Sequence, residues 1–284
     1  MCDNPLARMR AARVMPRRVW GRERRMRSEG GQEPDATPYL SVVIPAYNEA
    51  ARLPETVRAV LAFLDAQPYP SEVIVVDDGS TDQTAEIASR ALPMACGRVL
   101  REAHRGKGAA VRAGMLAASG ERTLFTDADL AVPIEETSHL LALLDAGCAV
   151  AIGSREGAGA SREGEPVFRH VMGRVFNRLV RIIAVPGIDD TQCGFKLFRA
   201  DAVAAIMPRL RLYGSDAPEV RGARVTGFDV EVLVIARRQG FRICEAPVRW
   251  RYGVQSKVRP LADTYWNLRD VLRVRMNDWR GYYR

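Results

Sequence analysis

From Tyr39 onward the chain alternates apolar runs of strand length with segments of helical period, which restricts the fold to β and α elements wound about a mostly parallel sheet. The pattern predicts strands over 40–44, 72–77, 98–101, 123–127 and 149–154, and helices over 49–65, 81–91, 108–119 and 134–146. Ser80-Thr81-Asp82 offers hydroxyl and carboxylate oxygens as an N-cap for the second helix. In an open sheet of this kind ligands sit at the carboxyl ends of the strands. Four polar strings therefore meet at one edge: PAYNE (45–49), VDDGS (76–80), RGKGAA (105–110) and DADLA (127–131).

The ends of the chain differ from this body. Residues 1–37 carry nine Arg against five acids, have few apolar residues and show no period, so they are expected to be disordered; a start at Met26 or a weak transit-peptide character are the alternatives. The fold is expected over 38–284. The net charge of +8 is concentrated at the two ends, with +4 in 1–37 and +8 in 237–284, leaving −4 on the body. Basic ends on a slightly acidic body suit an anionic lipid surface, and no nucleic-acid-binding motif occurs. No apolar run is long enough to span a bilayer, so any membrane role is expected to be peripheral, on the cytoplasmic face.

Two segments carry the character of interfacial helices. One is 167–185, where apolar residues at helical spacing are interspersed with Arg169, Arg174, Arg178 and Arg181; the other is 261–279, with Tyr265, Trp266, Leu268, Leu272 and Trp279 beside Arg269, Arg273, Arg275 and Arg280. The Gly-rich stretch 153–166 ahead of the first is expected to be a mobile loop. The five cysteines form no CxxC pair and are odd in number, which predicts reduced thiols. Lys occurs only at 107, 196 and 257 among 42 basic residues. An ammonium on a flexible stem is not interchangeable with a guanidinium, so at least one of the three is expected to touch phosphate.

The acidic triplet Asp127-Ala128-Asp129 follows an apolar strand and can aim two carboxylates at one point, a hard-oxygen arrangement that suits Mg²⁺ or Mn²⁺ carrying a diphosphate. PAYNE and VDDGS add an aromatic ring and further acids at neighbouring strand ends, as a nucleotide base and ribose require. Neither GxGxxG nor GxxxxGK[ST] follows the first strand, which argues against dinucleotide and P-loop sites.

The strings SVVIPAYNEA, VIVVDDGSTDQT, GKGAAVRAG, DADL and GSR, in this order, resemble family 2 glycosyltransferases of the GT-A fold. DDTQCGFKLFR, GFDVEVLVIARRQGFRICEAPVRW and SKV narrow the resemblance to dolichyl-phosphate β-glucosyltransferases and polyprenyl-phosphate sugar transferases, over about residues 39–280. The resemblance implies that Pro45, Ala46, Tyr47 and Glu49 hold the nucleotide, that Asp78 reads the base with Asp77 beside it, and that Asp127 and Asp129 bind metal and donor phosphate together with Lys107. Asp190 falls at the acceptor-side acid. Ala131 stands where some mannosyl relatives carry a metal-binding glutamine, which favours a glucosyl donor; the resemblance to glucosyltransferases implies UDP-glucose. The implied reaction is an inverting transfer of a hexose to a polyprenyl or dolichyl phosphate, the alternative being a glycan or other soluble hydroxyl acceptor. Arg155, Arg169, Lys196 and Lys257 are the expected acceptor-phosphate cations, Lys257 in a flap that closes over the diphosphate. Asp190 is the expected general base for a hydroxyl acceptor.

Overall fold

The computed structural model describes residues 37–164, 183–220, 222, 227–252 and 260–284, together with positions 173, 174, 178, 180 and 181. Residues 1–36 of the basic segment expected to be disordered, Arg169 and Lys257 lie outside the described residues. Thr37–Arg284 forms one compact unit.

A sheet of seven strands runs through that unit in the order β3-β2-β1-β4-β7-β5-β8, built from β1 (Leu40–Ala46), β2 (Ser71–Asp78), β3 (Gly97–Glu102), β4 (Arg122–Thr126), β5 (Val150–Ser154), β7 (Phe195–Arg199) and β8 (Ile243–Pro247). All neighbours pair in parallel except β7, which is antiparallel to both β4 and β5. The five strands expected from the sequence are present with ends shifted by one or two residues. The antiparallel β7 was not among them, because CGFKLF carries a lysine at its centre and pairs only with strands distant in sequence.

The helices flank the sheet: α1 (Leu53–Asp65), α2 (Thr84–Ala91), α3 (Lys107–Ala117), α4 (Thr137–Asp145), α5 (Ala200–Ile206), α6 (Phe228–Arg238) and α7 (Pro260–Trp279). Strand alternation divides the core into two layers. Val43, Ile74, Val76 and Phe198 face α3, α5, α6 and α7, whereas Val42, Ile44, Val75 and Leu197 face α1, α2 and α4. Val180 and Val185, from the first segment expected to be interfacial, are buried in the first layer; the greater part of that segment lies outside the described residues.

Three local expectations need correction. The Gly-rich stretch contains a short strand, β6 (Ser161–Glu163), which pairs in parallel with β9 (Arg249–Arg251), because the edge segment after β8 offers it unpaired backbone groups. Helix α2 starts three residues later than predicted: Gln83 occupies the N-cap position, and the Asp82 carboxylate accepts from Thr84 N at 2.9 Å. Finally, Cys148 and Cys244 are disulfide-bonded, not reduced, with Cα atoms 6.1 Å apart. The parallel pairing of β5 with β8 brings together residues 96 apart in sequence, which spacing alone does not reveal.

Candidate active site

The carboxyl ends of β1, β2 and β4 and the amino end of α3 assemble the edge expected to take the donor, called the donor edge below. After β1, Asn48 adopts a left-handed backbone (φ 52°) and is tied to the next loop: its N–H donates to Ser80 Oγ at 2.9 Å and its Oδ1 accepts from Thr81 N at 2.8 Å. Glu49 N donates to Thr84 Oγ1 at 2.8 Å. α1 starts only at Leu53 because Glu49–Arg52 is a turn, in which Glu49 O accepts from Arg52 N and Leu53 N. The PAYNE loop is thus held by hydrogen bonds before any ligand arrives.

Asp77 and Asp78 are both buried but point to opposite faces of β2. Asp77 Oδ1 accepts from Ser80 N at 3.2 Å. Asp78 organises the turn ahead of α3: its Oδ1 accepts from Arg105 N at 2.9 Å, and its Oδ2 from Gly106 N at 2.9 Å and from the His104 imidazole Nδ1 at 2.9 Å. Burial raises the Asp78 carboxyl above its ordinary range even though these bonds favour the charge. Gly106 has φ 92°, which an L side chain rarely adopts, and this lets the chain turn so that Lys107 opens the helix. The Tyr47 ring stacks on His104 with centroids 3.8 Å apart and planes within 3°.

At the end of β4 the Lys107 ammonium lies 2.5 Å from Asp127 Oδ1, with both side chains 36% exposed. Burial works against the lysine charge, but Asp127, and less strongly Asp229 and Asp129, outweigh it and push the Lys107 pKa up. Asp129 is exposed, and its Oδ1 accepts from Ala131 N at 3.1 Å. Leu130 is held at φ 45°, a strained conformation for leucine that keeps the DADL turn tight. Among the described residues no three metal-ligating side chains converge. Two carboxylates of this kind fit a divalent cation only when phosphate oxygens complete its shell, as they do for a cation that arrives with a diphosphate.

Beside this edge lies a second constellation. Asp190 is fully buried, and Arg155, immediately after β5, clasps it through Nε (2.6 Å), Nη2 (2.8 Å) and its backbone N–H (3.0 Å). Burial would raise the Asp190 pKa, but the Arg155 bonds overcome it and hold the carboxyl down at about 2. Glu245 on β8 fixes the loop from below, accepting from Asp189 N at 2.9 Å and Asp190 N at 3.0 Å. The neighbouring Thr191 hydroxyl is fully buried without a hydrogen-bond partner among the described residues. The loop runs directly onto the donor edge: Gly194 lies against Asp127, and a Cβ at residue 194 would collide with that carboxylate.

The sequence model of the Glycosyl transferase family 2 matches residues 41–207. This chain belongs to that family. Among its relatives are the dolichyl-phosphate beta-glucosyltransferases of Dictyostelium discoideum (32% identical over 263 residues, covering 87% of this chain and 76% of that protein) and Homo sapiens (34% over 268 residues, 87% and 78%). Its backbone is similar to that of mannosyl-3-phosphoglycerate synthase from Rubrobacter xylanophilus, with a TM-score of 0.61 at 17% identity, covering 86% of this chain and 75% of that one. It is also similar to glucosyl-3-phosphoglycerate synthase from Mycobacterium tuberculosis, solved with Mn²⁺ and uridine diphosphate, with a TM-score of 0.59 at 19% identity and coverages of 86% and 80%. At these identities the two structures establish the GT-A fold alone.

In this glycosyltransferase the residues expected at the donor side, from Pro45 through Asp129, do share one sheet edge. Lys196 does not join them as a surface cation. Its side chain is fully buried beneath the edge, and its ammonium is committed to Asp229 and the Cys193 carbonyl, 5.3 Å from the Phe125 ring centroid. It faces the α6 layer because Lys196 lies opposite Phe125 in the β4–β7 pairing, and Asp229 in the first turn of α6 meets it there. His104, Thr191, Gly194 and Asp229 were missed. His104 lies just ahead of RGKGAA and Asp229 lies in GFDVEV, but their roles depend on contacts between segments 26 and 33 residues apart.

Proposed function

We propose that this glycosyltransferase moves glucose from UDP-glucose to a polyprenyl or dolichyl phosphate at a membrane surface, with inversion. The observation that carries this reading is the seating of Gly194 against Asp127, which joins the DTQCGFK loop, the part of the sequence that resembles lipid-phosphate transferases, to the donor-phosphate carboxylate. The names of the relatives support the sugar and the acceptor.

In this reading Tyr47 and the Asp78-pinned turn bound the base pocket, and Lys107 with the amino end of α3 faces the diphosphate. A bound divalent cation, Mg²⁺ or Mn²⁺ held by Asp127 and Asp129, supplies charge neutralisation for the departing nucleoside diphosphate. An acceptor phosphate oxygen attacks the anomeric carbon as the bond to the diphosphate oxygen breaks, and the electron pair leaves with UDP. A phosphate monoester is largely dianionic at neutral pH and needs no base. That requirement matches an Asp190 whose two oxygens are both bound by Arg155: here Asp190 positions the guanidinium, and the guanidinium faces the incoming phosphate. Arg169 and Lys257 are proposed as further cations toward acceptor and diphosphate.

The exposed face of α7 supports the membrane part of the proposal. Tyr265 (64% exposed), Leu272, Met276 and Trp279 (74%) recur at helical spacing with Arg269, Arg273 and Arg280 alongside, while Val271, Val274 and Asp278 face the core. No helix of the described residues is long and apolar enough to cross a membrane.

The test is a donor panel on the full chain with polyprenyl phosphate in anionic vesicles, assayed with Mg²⁺, with Mn²⁺ and with chelator. Glucosyl transfer to the lipid that stops with chelator is expected. Transfer only to a soluble acceptor such as phosphoglycerate would overturn the lipid-phosphate reading.

A further inference from the structure

The Lys107–Asp127 pair has a consequence for the order in which ligands bind. Asp127 is hemmed on one side by Gly194, whose backbone leaves no room beside the carboxylate, and on the other by the Lys107 ammonium at 2.5 Å from Oδ1. The other candidate metal carboxylate, Asp129, is exposed and carries only a local bond to Ala131 N. The Asp127 corner of the donor edge is therefore already filled by a monovalent cation that belongs to the protein. A divalent ion drawn to Asp127 meets that ammonium as a like charge at close range, where the site is half-shielded from solvent and repulsion is strong.

The same ammonium has a second place to go. Lys107 is the first residue of α3, and the amino end of a helix attracts phosphate through its free N–H groups and dipole. Its side chain is flexible and 36% exposed, and the turn that carries it is fixed at the backbone by Asp78, so the ammonium can swing without moving the loop. A diphosphate arriving at α3 offers it a stronger partner than Asp127 alone.

We propose that Lys107 is a place-holding cation: it neutralises Asp127 in the free protein, transfers to the donor diphosphate when the nucleotide binds, and so opens Asp127 to the divalent ion only in the nucleotide complex. Metal and nucleotide are then coupled through one side chain, and by reciprocity the metal tightens the nucleotide as much as the nucleotide tightens the metal. The free protein discriminates against stray divalent ions, and the metal-loaded site forms only around a donor. This inference rests on the reading of Asp127 and Asp129 as metal carboxylates.

The experiment measures Mn²⁺ binding to the full chain by electron paramagnetic resonance, with and without UDP, for wild type, Lys107→Met and Lys107→Arg. Wild type is expected to bind Mn²⁺ at least about 10-fold more tightly with UDP than without, within the usual range of coupling between two ligands. Lys107→Met, which keeps the stem and removes the charge, should gain about 10-fold in nucleotide-free Mn²⁺ affinity and bind UDP more weakly. Lys107→Arg, which keeps the charge, should show no gain. An unchanged or weaker nucleotide-free affinity in Lys107→Met, beside normal Mn²⁺ binding by wild type with UDP, overturns the place-holder and leaves the metal reading standing. Failure of wild type to bind Mn²⁺ even with UDP removes both.

Discussion

Two lysine–aspartate pairs stand close enough in this fold for Asp229 to act on Lys107, and they do opposite work. Lys107–Asp127 lies at the donor edge with both side chains 36% exposed, whereas Lys196–Asp229 lies beneath it with the lysine fully buried and the aspartate 9% exposed. The first pair can exchange partners with water, phosphate or metal. The second cannot: its ammonium is fixed by Asp229, the Cys193 carbonyl and the Phe125 face, and it joins β7 to the amino end of α6. The contrast explains in two ways why lysine persists in a chain that otherwise uses arginine. At 107 the proposed function calls for a mobile point charge, and at 196 a compact one fits a closed space.

The largest effect expected from this contrast is on stability. Lys196→Met leaves Asp229 as a buried charge without its partner, a change that costs about 3–5 kcal/mol, read as the loss in denaturant unfolding free energy. Lys196→Met with Asp229→Leu should recover much of that loss, because an apolar pair of similar volume avoids the desolvation cost. Unfolding of the single variant like wild type would show that the pair does not hold β7 to α6.

Arg155–Asp190 is the intermediate case, with the arginine 19% exposed and the aspartate fully buried. Asp190 titrates at about 2 in the folded protein against an ordinary 3.8. A depressed folded pKa stabilises the fold above the unfolded value, and the contribution is lost as pH falls through the folded one. Asp190→Asn is thus expected to cost about 2 kcal/mol at neutral pH, with the stability curves of variant and wild type converging between pH 3.8 and about 2. Curves that stay parallel through that window would refute the assignment. Activity separates the acceptors as well: a phosphate acceptor leaves measurable turnover in Asp190→Asn, whereas a hydroxyl acceptor that needs this residue as base does not.

These pairs also mark where the sequence stops being legible. The strand ends that gather PAYNE, VDDGS, RGKGAA and DADLA were readable, because a sheet buried on both faces writes itself as apolar runs and its ligands collect at one edge. The contacts these side chains make within the protein are not legible in the same way: Asp78 holds the turn 104–106 through its carboxylate, and Lys196 commits its charge to Asp229 on α6. Both outcomes depend on which face of a strand a residue occupies and on what packs there. For Lys196 that is set by the antiparallel insertion of β7 between β4 and β5, a pairing with no local signal. The Cys148–Cys244 bond was hidden for the same reason, since it joins β5 to an edge strand that arrives 96 residues later.

The smallest expected effect is the most diagnostic. Exposed ion pairs contribute at most about 1 kcal/mol, so Lys107→Met should shift the melting temperature of the ligand-free protein by no more than about 4 °C for a domain of this size. The same substitution should remove glucosyl transfer at sub-saturating donor, because it takes a cation from the diphosphate. A large loss of thermal stability would place Lys107 with Lys196 as a structural cation and abolish the distinction between the two pairs. A small one, beside the large cost at Lys196, would show that the fold keeps its fixed charge inside and its exchangeable charge at the edge where the donor arrives.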